Sequence, residues 1–227
     1  PYNPPYYPEY LLKFGFKKVV ETGSGLIIND SFNLSNKVLK AAEIIQEKRG
    51  FRVLSFKSRK ELREAALSLG YLYNESLNSS DDSVALTTSD INTMVNGLLW
   101  IAQPELIKII IKNDEPIGFL LTYPDISEGL QAIRGRIFPF GWIRLLREKY
   151  HTEWLNINGI GIVEKYRGLA GTALLFSELY RSIKSNPQFK YSEVIQIGFE
   201  NERMRQELSG MGIDFYKTHA IFEFKLD

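Results

Sequence analysis

The stretch that decides the fold reads GIVEKYRGLAGTALL and spans residues 161 to 175. Its start continues an apolar strand, its middle is rich in glycine, and its end has the apolar spacing of a helix. Such a turn points backbone N–H groups and the positive end of the helix dipole at one spot. This favours binding of an anion such as a pyrophosphate, and Arg167 adds a positive charge. The alternative is an ordinary strand-to-helix turn whose glycines, Gly168 and Gly171, serve packing.

The elements around this stretch follow a definite order. From residue 51 the pattern predicts a strand at 51–56, helices at 58–78 and 90–102 separated by a polar loop at 79–82, a hairpin of strands 106–112 and 117–123, a strand at 154–163, a helix from 172 to 184, a strand at 191–199, a helix at 201–211 and a last strand at 216–224. The hairpin strands are antiparallel, and the unit from 154 to 199 should be a right-handed parallel crossover. This order predicts an α+β fold with a mixed sheet and helices on both faces.

Residues 1 to 50 form a separate section. The sequence predicts a short helix near residues 9 to 16, strands at 17–20 and 26–28 broken by Gly23-Ser24-Gly25, and a helix at 36–49. The first residues are rich in aromatic side chains, which are costly to leave in water. We therefore expect these side chains to pack on the rest of the chain or on a partner: Tyr2, Tyr6, Tyr7, Tyr10, Phe14 and Phe16.

Composition excludes several classes of function. The chain has 28 Lys and Arg against 27 Asp and Glu, so bulk charge does not favour nucleic-acid binding. It has no cysteine, which excludes disulfides, thiolate metal sites and a cysteine nucleophile. His151 and His219 are too far apart for a recognisable zinc motif, and we expect no metal. No apolar run reaches the length of a membrane span and no secretory signal is visible, so we expect a cytoplasmic protein without a membrane partner. The chain starts at Pro1, which is compatible with a fragment or a processed product.

The stretch at 161–175 resembles the acyl-CoA-binding motif of the GNAT superfamily of N-acyltransferases, whose common form is Arg/Gln-x-x-Gly-x-Gly/Ala. The preceding hairpin looks like the second and third strands of that family, and the helix from Asn201 to Gly212 looks like its closing segment. The resemblance covers most of residues 51 to 227. It implies a mostly antiparallel sheet in which one parallel strand pair splays apart to admit the cofactor.

The resemblance also implies a set of residues that bind acyl-CoA. Gly161 and Val163 would offer backbone groups to the pantetheine arm, and Asn201 would contact the cofactor near its thioester or simply cap a helix. The pyrophosphate would be held by Arg167, Gly168, Leu169, Ala170, Gly171 and Thr172.

The sequence departs from the family pattern at three positions. Ala170 and Thr172 stand where the motif usually has small glycine-like residues, although Thr172 can still present its N–H. Leu208 stands near the position of the family's frequent general-acid tyrosine, and leucine cannot donate a proton. That catalytic role is therefore vacant or has moved to another residue.

Acyl transfer to an amine needs a base for the amine and an acid for the leaving thiolate. Glu200 ends the strand at 191–199 and is our candidate base. Tyr216, on the last strand, is our candidate acid, with His219 as a further residue there. Each also has a structural explanation, as a solvated strand end, a half-buried aromatic and a surface residue.

The start of the chain resembles its end. Asn3 and Asn201 are each followed by a short helix, a glycine and a lysine-bearing strand. We therefore expect residues 1–50 to be the tail of a preceding, incomplete GNAT-like domain with a linking helix, and 51–227 to be a GNAT-like domain; a private N-terminal arm is the alternative. The insertion at 125–150 mixes arginine with aromatic residues. It could cover an acceptor site or grip an acidic partner, or it could be a helix pair packed on the sheet.

Two functions fit these patterns. The first is an N-acyltransferase that uses acyl-CoA, with acetyl-CoA favoured, and a small-molecule or peptide amine as acceptor, without metal or covalent intermediate. The second is a catalytically degenerate GNAT-like fold that serves binding or assembly, which the departures at Ala170, Thr172 and Leu208 favour. Expected partners beyond the amine are a second copy in a homodimer or a missing N-terminal domain, and no nucleic acid.

Overall fold

The computed structural model describes residues 3–77 and 86–225, and the polar loop predicted at 79–82 lies outside them. One seven-stranded sheet organises the chain, with the strand order β2-β3-β4-β5-β6-β1-β7. The strands are β1 (Lys17–Ile28), β2 (Arg52–Ser55), β3 (Lys108–Lys112), β4 (Glu115–Pro124), β5 (Trp154–Ile162), β6 (Tyr191–Gly198) and β7 (Asp214–Glu223). The helices are α1 (Tyr6–Lys13), α2 (Asn36–Arg49), α3 (Arg59–Leu77), α4 (Thr88–Ile101), α5 (Ser127–Ala132), α6 (Gly141–His151), α7 (Gly171–Lys184) and α8 (Glu202–Gly210).

The sheet is mixed, as predicted. β5 and β6 are parallel, and every other neighbouring pair is antiparallel. The β3–β4 hairpin turns at Asn113 and Asp114, both of which have positive φ, a conformation that Asn and Asp adopt more readily than most residues. The predicted element order from residue 51 is thus confirmed, and it yields the predicted fold class.

Helices cover both faces of this sheet. On one face α2, α7 and α8 bury apolar side chains such as Ile45, Leu174 and Leu208 against the strands. On the other face α3 and α4 bury Leu62 and Leu99 against β3 and β4. The sheet lies between these two apolar layers, which leave the ends of strands β5 and β6 accessible. None of the helices in the described ranges is both long and apolar enough to cross a lipid bilayer.

Strand β1 lies inside the sheet, between β6 and β7, and pairs antiparallel with both. The sequence predicted two strands broken at Gly23-Ser24-Gly25, which was wrong: one strand runs through, and the register shifts there. The glycines serve close packing instead of a turn. A Cβ at Gly23 would lie 2.6 Å from the Phe199 ring, and one at Gly25 would lie 2.5 Å from the Ile213 side chain. Residues 17–28 therefore pack against the rest of the chain, while their origin in a preceding domain stays a prediction.

Not all of the aromatic side chains before β1 are buried. Phe16 packs against Phe224, with ring centroids 5.0 Å apart. The residues of α1 and its end stay in solvent, among them Tyr6, Tyr7 and Tyr10, and Phe14 is 75% exposed. Packing on the same chain thus holds for Phe16 and not for the exposed residues of α1, and packing of those residues on a partner stays a prediction. Tyr2 lies outside the described residues.

The insertion between β4 and β5 is a helical hairpin. Helices α5 and α6 meet at Gly129, where the Glu148 side chain lies close to the position of a Cβ. Leu145 and Lys149 are the buried residues of α6. The Lys149 ammonium donates to the carbonyls of Trp100 and Ala102, at 3.0 and 2.9 Å. These bonds attach α6 to the end of α4, so the hairpin has a fixed base.

Candidate functional site

The turn between β5 and α7, residues 167–172, presents unpaired backbone donors. Within the described residues, the N–H groups of 168 to 173 have no hydrogen-bond acceptor, and no side chain caps α7. Three of these residues, Gly171, Thr172 and Ala173, are buried. Buried N–H groups are nearly always paired in folded proteins. A run of unpaired donors at the positive end of a helix is therefore a strong indication of an anion-binding position.

Two residues of this turn have left-handed backbone. Gly168 has φ +79° and Ala170 has φ +65°. The first needs glycine for its conformation, whereas the second holds an alanine in a region that costs roughly 1 kcal/mol for a residue with a Cβ. Ala170 stands where the GNAT motif usually has glycine. Residue 170 thus has a backbone conformation typical of glycine although it is alanine, which indicates that the shape of the turn is constrained.

Two arginines flank the turn. The Arg167 Nε donates to the Ile162 carbonyl at 3.0 Å, so its side chain is anchored at the end of β5. The guanidinium of Arg203, from α8, lies beside Gly168, and its Cζ is 3.1 Å from where a Cβ would stand. The Arg203 Nε also contacts Glu207 at 3.2 Å, and that pair is exposed. The turn therefore combines unpaired N–H groups with cationic side chains from two elements.

A cleft opens where β5 and β6 separate. The parallel pairing runs only from Trp154 and Tyr191 to Ile157 and Val194, and beyond it the strands splay. The opening has a volume of about 270 Å³. We call it the splay cleft, and it is lined by Tyr73, Phe119, residues 157–160, residues 194–198, Asn201 and Met204.

The backbone groups that face the splay cleft follow from the strand alternation. Val163 N–H donates to Ile117 on the β4 side at 3.0 Å, so Gly161, two residues earlier, also faces β4. Successive residues of a strand point their N–H and C=O groups to opposite sides, so the backbone groups of Ile160 and Ile162 point away from β4. Ile160 lines the cleft, whereas the Ile162 carbonyl already accepts from Arg167 Nε. The structure thus shifts the expected backbone contacts for a pantetheine arm by one residue, away from Gly161 and Val163.

Two of the expected site residues lie at the rim of the cleft. The Asn201 side chain caps α8 by accepting from the Met204 N–H at 3.1 Å, and it also lines the cleft. The cap uses the side-chain oxygen, which leaves the amide N–H₂ facing the opening. The Glu200 carboxylate folds back over Gly198, where it would collide with any Cβ. Glu200 is therefore close enough to the cleft mouth to act there.

Tyr216 lies apart from this group. It is on β7, separated from β6 by β1, and it does not line the cleft. Its hydroxyl donates to Glu193 at 2.9 Å, and Lys217 contacts the same carboxylate at 2.7 Å. Burial raises the pKa of Tyr216, which keeps the hydroxyl protonated. Glu193 precedes Val194, where the splay begins, so Tyr216 reaches the base of the cleft only through Glu193.

His219 supports the cleft indirectly. Its Nε2 is 2.8 Å from the Ser24 hydroxyl, and Ser24 is buried within β1. The same hydroxyl accepts from the Gln196 N–H at 3.2 Å. Gln196 lines the cleft with a positive φ of +54°. The Ser24 hydroxyl therefore accepts from the Gln196 N–H, which would have no partner where the strands splay.

Comparison with known proteins was made by sequence and by structure. No family model matches the chain. It is 23% identical over 235 residues to Protein YghO of Escherichia coli strain K12, a match that covers 98% of this chain and 58% of YghO. A GCN5-related N-acetyltransferase of Sphaerobacter thermophilus superposes with a TM-score of 0.57 at 12% identity, covering 95% of this chain and 54% of that one. The chain has the fold of the GCN5-related N-acetyltransferases, the GNAT fold.

Two further GNAT structures are similar. A tandem GNAT protein from the clavulanic acid biosynthesis pathway has a TM-score of 0.57 at 9% identity, and the match covers 98% of this chain and 59% of that one. The glucosamine N-acetyltransferase region of a fungal multi-domain enzyme has the same TM-score and identity, covering 96% of this chain and 22% of that one. The chain therefore spans well under two thirds of each of these relatives.

Within this GNAT fold, two site residues could not be predicted from the sequence, Arg203 and Tyr73. Arg203 has no motif around it, and only the packing of α8 against the turn brings it to Gly168. Tyr73 comes from α3, far from the motif, and is the one titratable side chain among the described residues that line the cleft. Its ring lies 6.0 Å from that of Phe119. A lone tyrosine on an amphipathic helix carries no signal that separates it from a core residue.

Proposed function

We propose that this chain acts as an acyl-CoA-dependent N-acyltransferase, with acetyl-CoA as the acyl donor to test first. The run of unpaired N–H groups at 168 to 173 carries this proposal, because it matches the oxygens of a pyrophosphate. Helix α8 links it to the splay cleft, since Arg203 lies beside Gly168 and Met204 lines the cleft. Arg167 and Arg203 supply the charge, and charge-assisted hydrogen bonds to phosphate are among the strongest in proteins. The backbone of Ile160, which lines the cleft, then faces the pantetheine arm.

The reaction is direct transfer. The acceptor nitrogen attacks the thioester carbonyl, a C–N bond forms, and the C–S bond breaks to release the thiolate of CoA. Glu200 at the cleft rim is the candidate base that takes the amine proton, directly or through water. The candidate acids for the thiolate are Tyr216, as the sequence suggested, and Tyr73, which lines the cleft.

The two tyrosines can be separated by substitution. Tyr73→Phe and Tyr216→Phe each remove one hydroxyl, and release of CoA in the presence of a panel of amines is the readout. Loss of a general acid lowers kcat by roughly 100-fold or more while CoA affinity holds. Leu208, at the position of the family's usual tyrosine, is fully buried and takes no part.

Binding itself is the first test. Titration calorimetry with CoA and acetyl-CoA should give saturable binding, and ligand should raise the midpoint of thermal unfolding by mass action. Absence of binding at millimolar ligand contradicts both the cofactor site and the enzyme.

The second candidate is a GNAT-like fold that has lost catalysis and serves binding or assembly. The observation in its favour is the altered motif, with alanine at 170 and threonine at 172, together with Leu208. This second function predicts that the chain binds CoA but releases none from acetyl-CoA with any amine tested. The titration and the release assay together distinguish this outcome from that of an active enzyme.

Residues 1–50 have a related interpretation. We propose that β1 derives from the end of a preceding GNAT-like domain, supported by the internal similarity around Asn3 and Asn201 and by the greater length of the relatives. The strand supports the cleft wall through Ser24, whose hydroxyl accepts from the Gln196 N–H, so the preceding section would be part of the working site. We also propose two partners: an amine acceptor and a second copy of the chain.

A further inference from the structure

The loop between α5 and α6 exposes large apolar side chains at its apex. Phe138 is 85% exposed and Phe140 is 73% exposed, and both flank Pro139. We call this loop with the first residues of α6, residues 134–143, the apolar tip. Its other apolar side chains are partly exposed: Ile137, Trp142 and Ile143. Exposed apolar groups at this density mark an interaction surface.

The charge around the apolar tip has one sign. Residues 129 to 147 contain Arg134, Arg136, Arg144 and Arg147 and no Asp or Glu. All four arginines are exposed. Glu128 and Glu148 are the acidic residues next to this span, and Glu148 lies 3.8 Å from Arg144. The surface is therefore apolar at its apex and cationic at its sides.

The backbone of the apolar tip is paired at its base and open at its apex. Gly135 N–H donates to the Leu130 carbonyl at 3.1 Å, and Trp142 N–H donates to the Ile137 carbonyl at 3.0 Å. The indole Nε1 of Trp142 donates to the Pro139 carbonyl at 3.0 Å. Among the described residues, the N–H groups of Ile137, Phe138, Phe140 and Gly141 have no acceptor. Such a loop suits the headgroup layer, where phosphates and water can accept from these donors, and does not suit the hydrocarbon core.

We propose that the apolar tip docks on an anionic lipid surface. The aromatic and aliphatic side chains insert at the level of the headgroups, and the four arginines pair with lipid phosphates, as in other interfacial segments. An apolar apex with cationic sides and no acidic residue from 129 to 147 matches an anionic lipid surface, where apolar depth lies beneath phosphates. The charge pattern selects anionic over neutral lipid. This proposal replaces the expectation of no membrane partner, which considered only membrane-spanning segments.

Vesicle sedimentation of the 227-residue chain tests the proposal. One set of vesicles is phosphatidylcholine alone, and in the other about a third of the lipid is phosphatidylglycerol. Binding is expected to the second set, to weaken with added salt, and to fall at least about ten-fold in Phe138→Ser/Phe140→Ser. A blue shift of tryptophan emission on binding should disappear in Trp142→Phe.

Matched controls come from the same chain. Phe14→Ser removes an equally exposed phenylalanine outside the apolar tip, and Arg181→Gln removes an exposed arginine on α7. Both should bind vesicles like the parent chain, whereas Arg134→Gln/Arg136→Gln should bind less. Circular dichroism checks that each variant is folded. Absence of binding by the parent chain, or equal loss in Phe14→Ser, overturns the proposal. Self-association that the tip variants abolish, without lipid binding, would also overturn it in favour of a protein contact.

Discussion

The 167–172 turn follows β5, and the apolar tip precedes β5 with α6 in between. Both contain arginines, and both contain left-handed residues, Ala170 in the turn and Arg134 in the tip. Both also leave several backbone N–H groups without an acceptor among the described residues, but the turn leads into a buried helix start at Gly171 and Thr172, whereas every residue of the tip from 134 to 140 is exposed. Under our proposals, the turn receives a compact anion and the tip meets an extended surface.

The difference teaches that glycine and arginine content alone does not identify a binding loop. What distinguishes the two is burial: the turn ends in a buried helix start, and the tip exposes its large apolar side chains. If the comparison holds, substitutions in the turn should change CoA affinity and leave vesicle binding intact, and substitutions in the tip should do the reverse. Five predictions sharpen it.

The largest effect is expected from the arginines of the turn. Arg167→Ala/Arg203→Ala removes two cationic donors, each worth roughly ten-fold in affinity for a charged group, so the Kd for CoA should rise about 100-fold. Titration calorimetry measures it. The matched control is Arg52→Ala/Arg181→Ala, which removes two exposed, ion-paired arginines elsewhere. Unchanged affinity in a folded double variant would mean that the turn is not the anion site.

Lys149 tests the base of the apolar tip. Lys149→Met leaves the carbonyls of Trp100 and Ala102 without their donor in a buried site, and should lower the free energy of unfolding by about 1 to 3 kcal/mol. Urea denaturation measures this, with Lys37→Met, an exposed lysine of α2, as the control. A loss of similar size in the control would show that the buried contacts are unimportant.

The same variant has a pH signature. Burial, followed by the nearby Arg59 charge, lowers the pKa of Lys149 to about 8 in the folded chain, against 10.5 for an unperturbed lysine. Between these values the unfolded chain binds the extra proton, so stability from this group rises as pH increases from about 8 to about 10.5. The parent chain should show this rise relative to Lys149→Met, and parallel pH profiles would contradict it.

Ser24 tests the wall of the splay cleft. Ser24→Ala removes the acceptor of the Gln196 N–H and the partner of His219, and should cost about 1 to 2 kcal/mol of unfolding free energy. Ser31→Ala, which removes an exposed hydroxyl just after β1, is the control. If CoA affinity falls along with the stability, the N-terminal strand contributes to the site. If both variants are equally stable, Ser24 does not support the cleft wall.

The smallest effect is expected at Ala170. Ala170→Gly relieves the left-handed conformation but adds chain entropy to the unfolded state, so unfolding free energy should change by less than about 0.5 kcal/mol. Ala170→Val, with a branched Cβ at the same φ, should cost about 1 to 2 kcal/mol. Thermal and urea unfolding measure both. Tolerance of valine would indicate that the turn is not held in this shape.

The sequence by itself determined the local elements. The hairpin around Asn113 and Asp114 and the turn into α7 both rest on patterns within a few residues. Local sterics, hydrogen bonding and apolar periodicity decide such features, so they are readable without the fold. The order of these elements then sufficed for the fold class and for the location of the turn.

Only the tertiary structure decided which distant residues meet. Ser24 pairs with Gln196 and His219, Arg203 lies over Gly168, and Tyr73 enters the cleft, and none of these contacts is encoded in a short pattern. The break predicted at Gly23 became a continuous strand because β6 and β7 supply partners from nearly 200 residues away. Strand pairing and burial depend on what the rest of the chain places alongside, so the same local glycines can form a turn or a tightly packed strand.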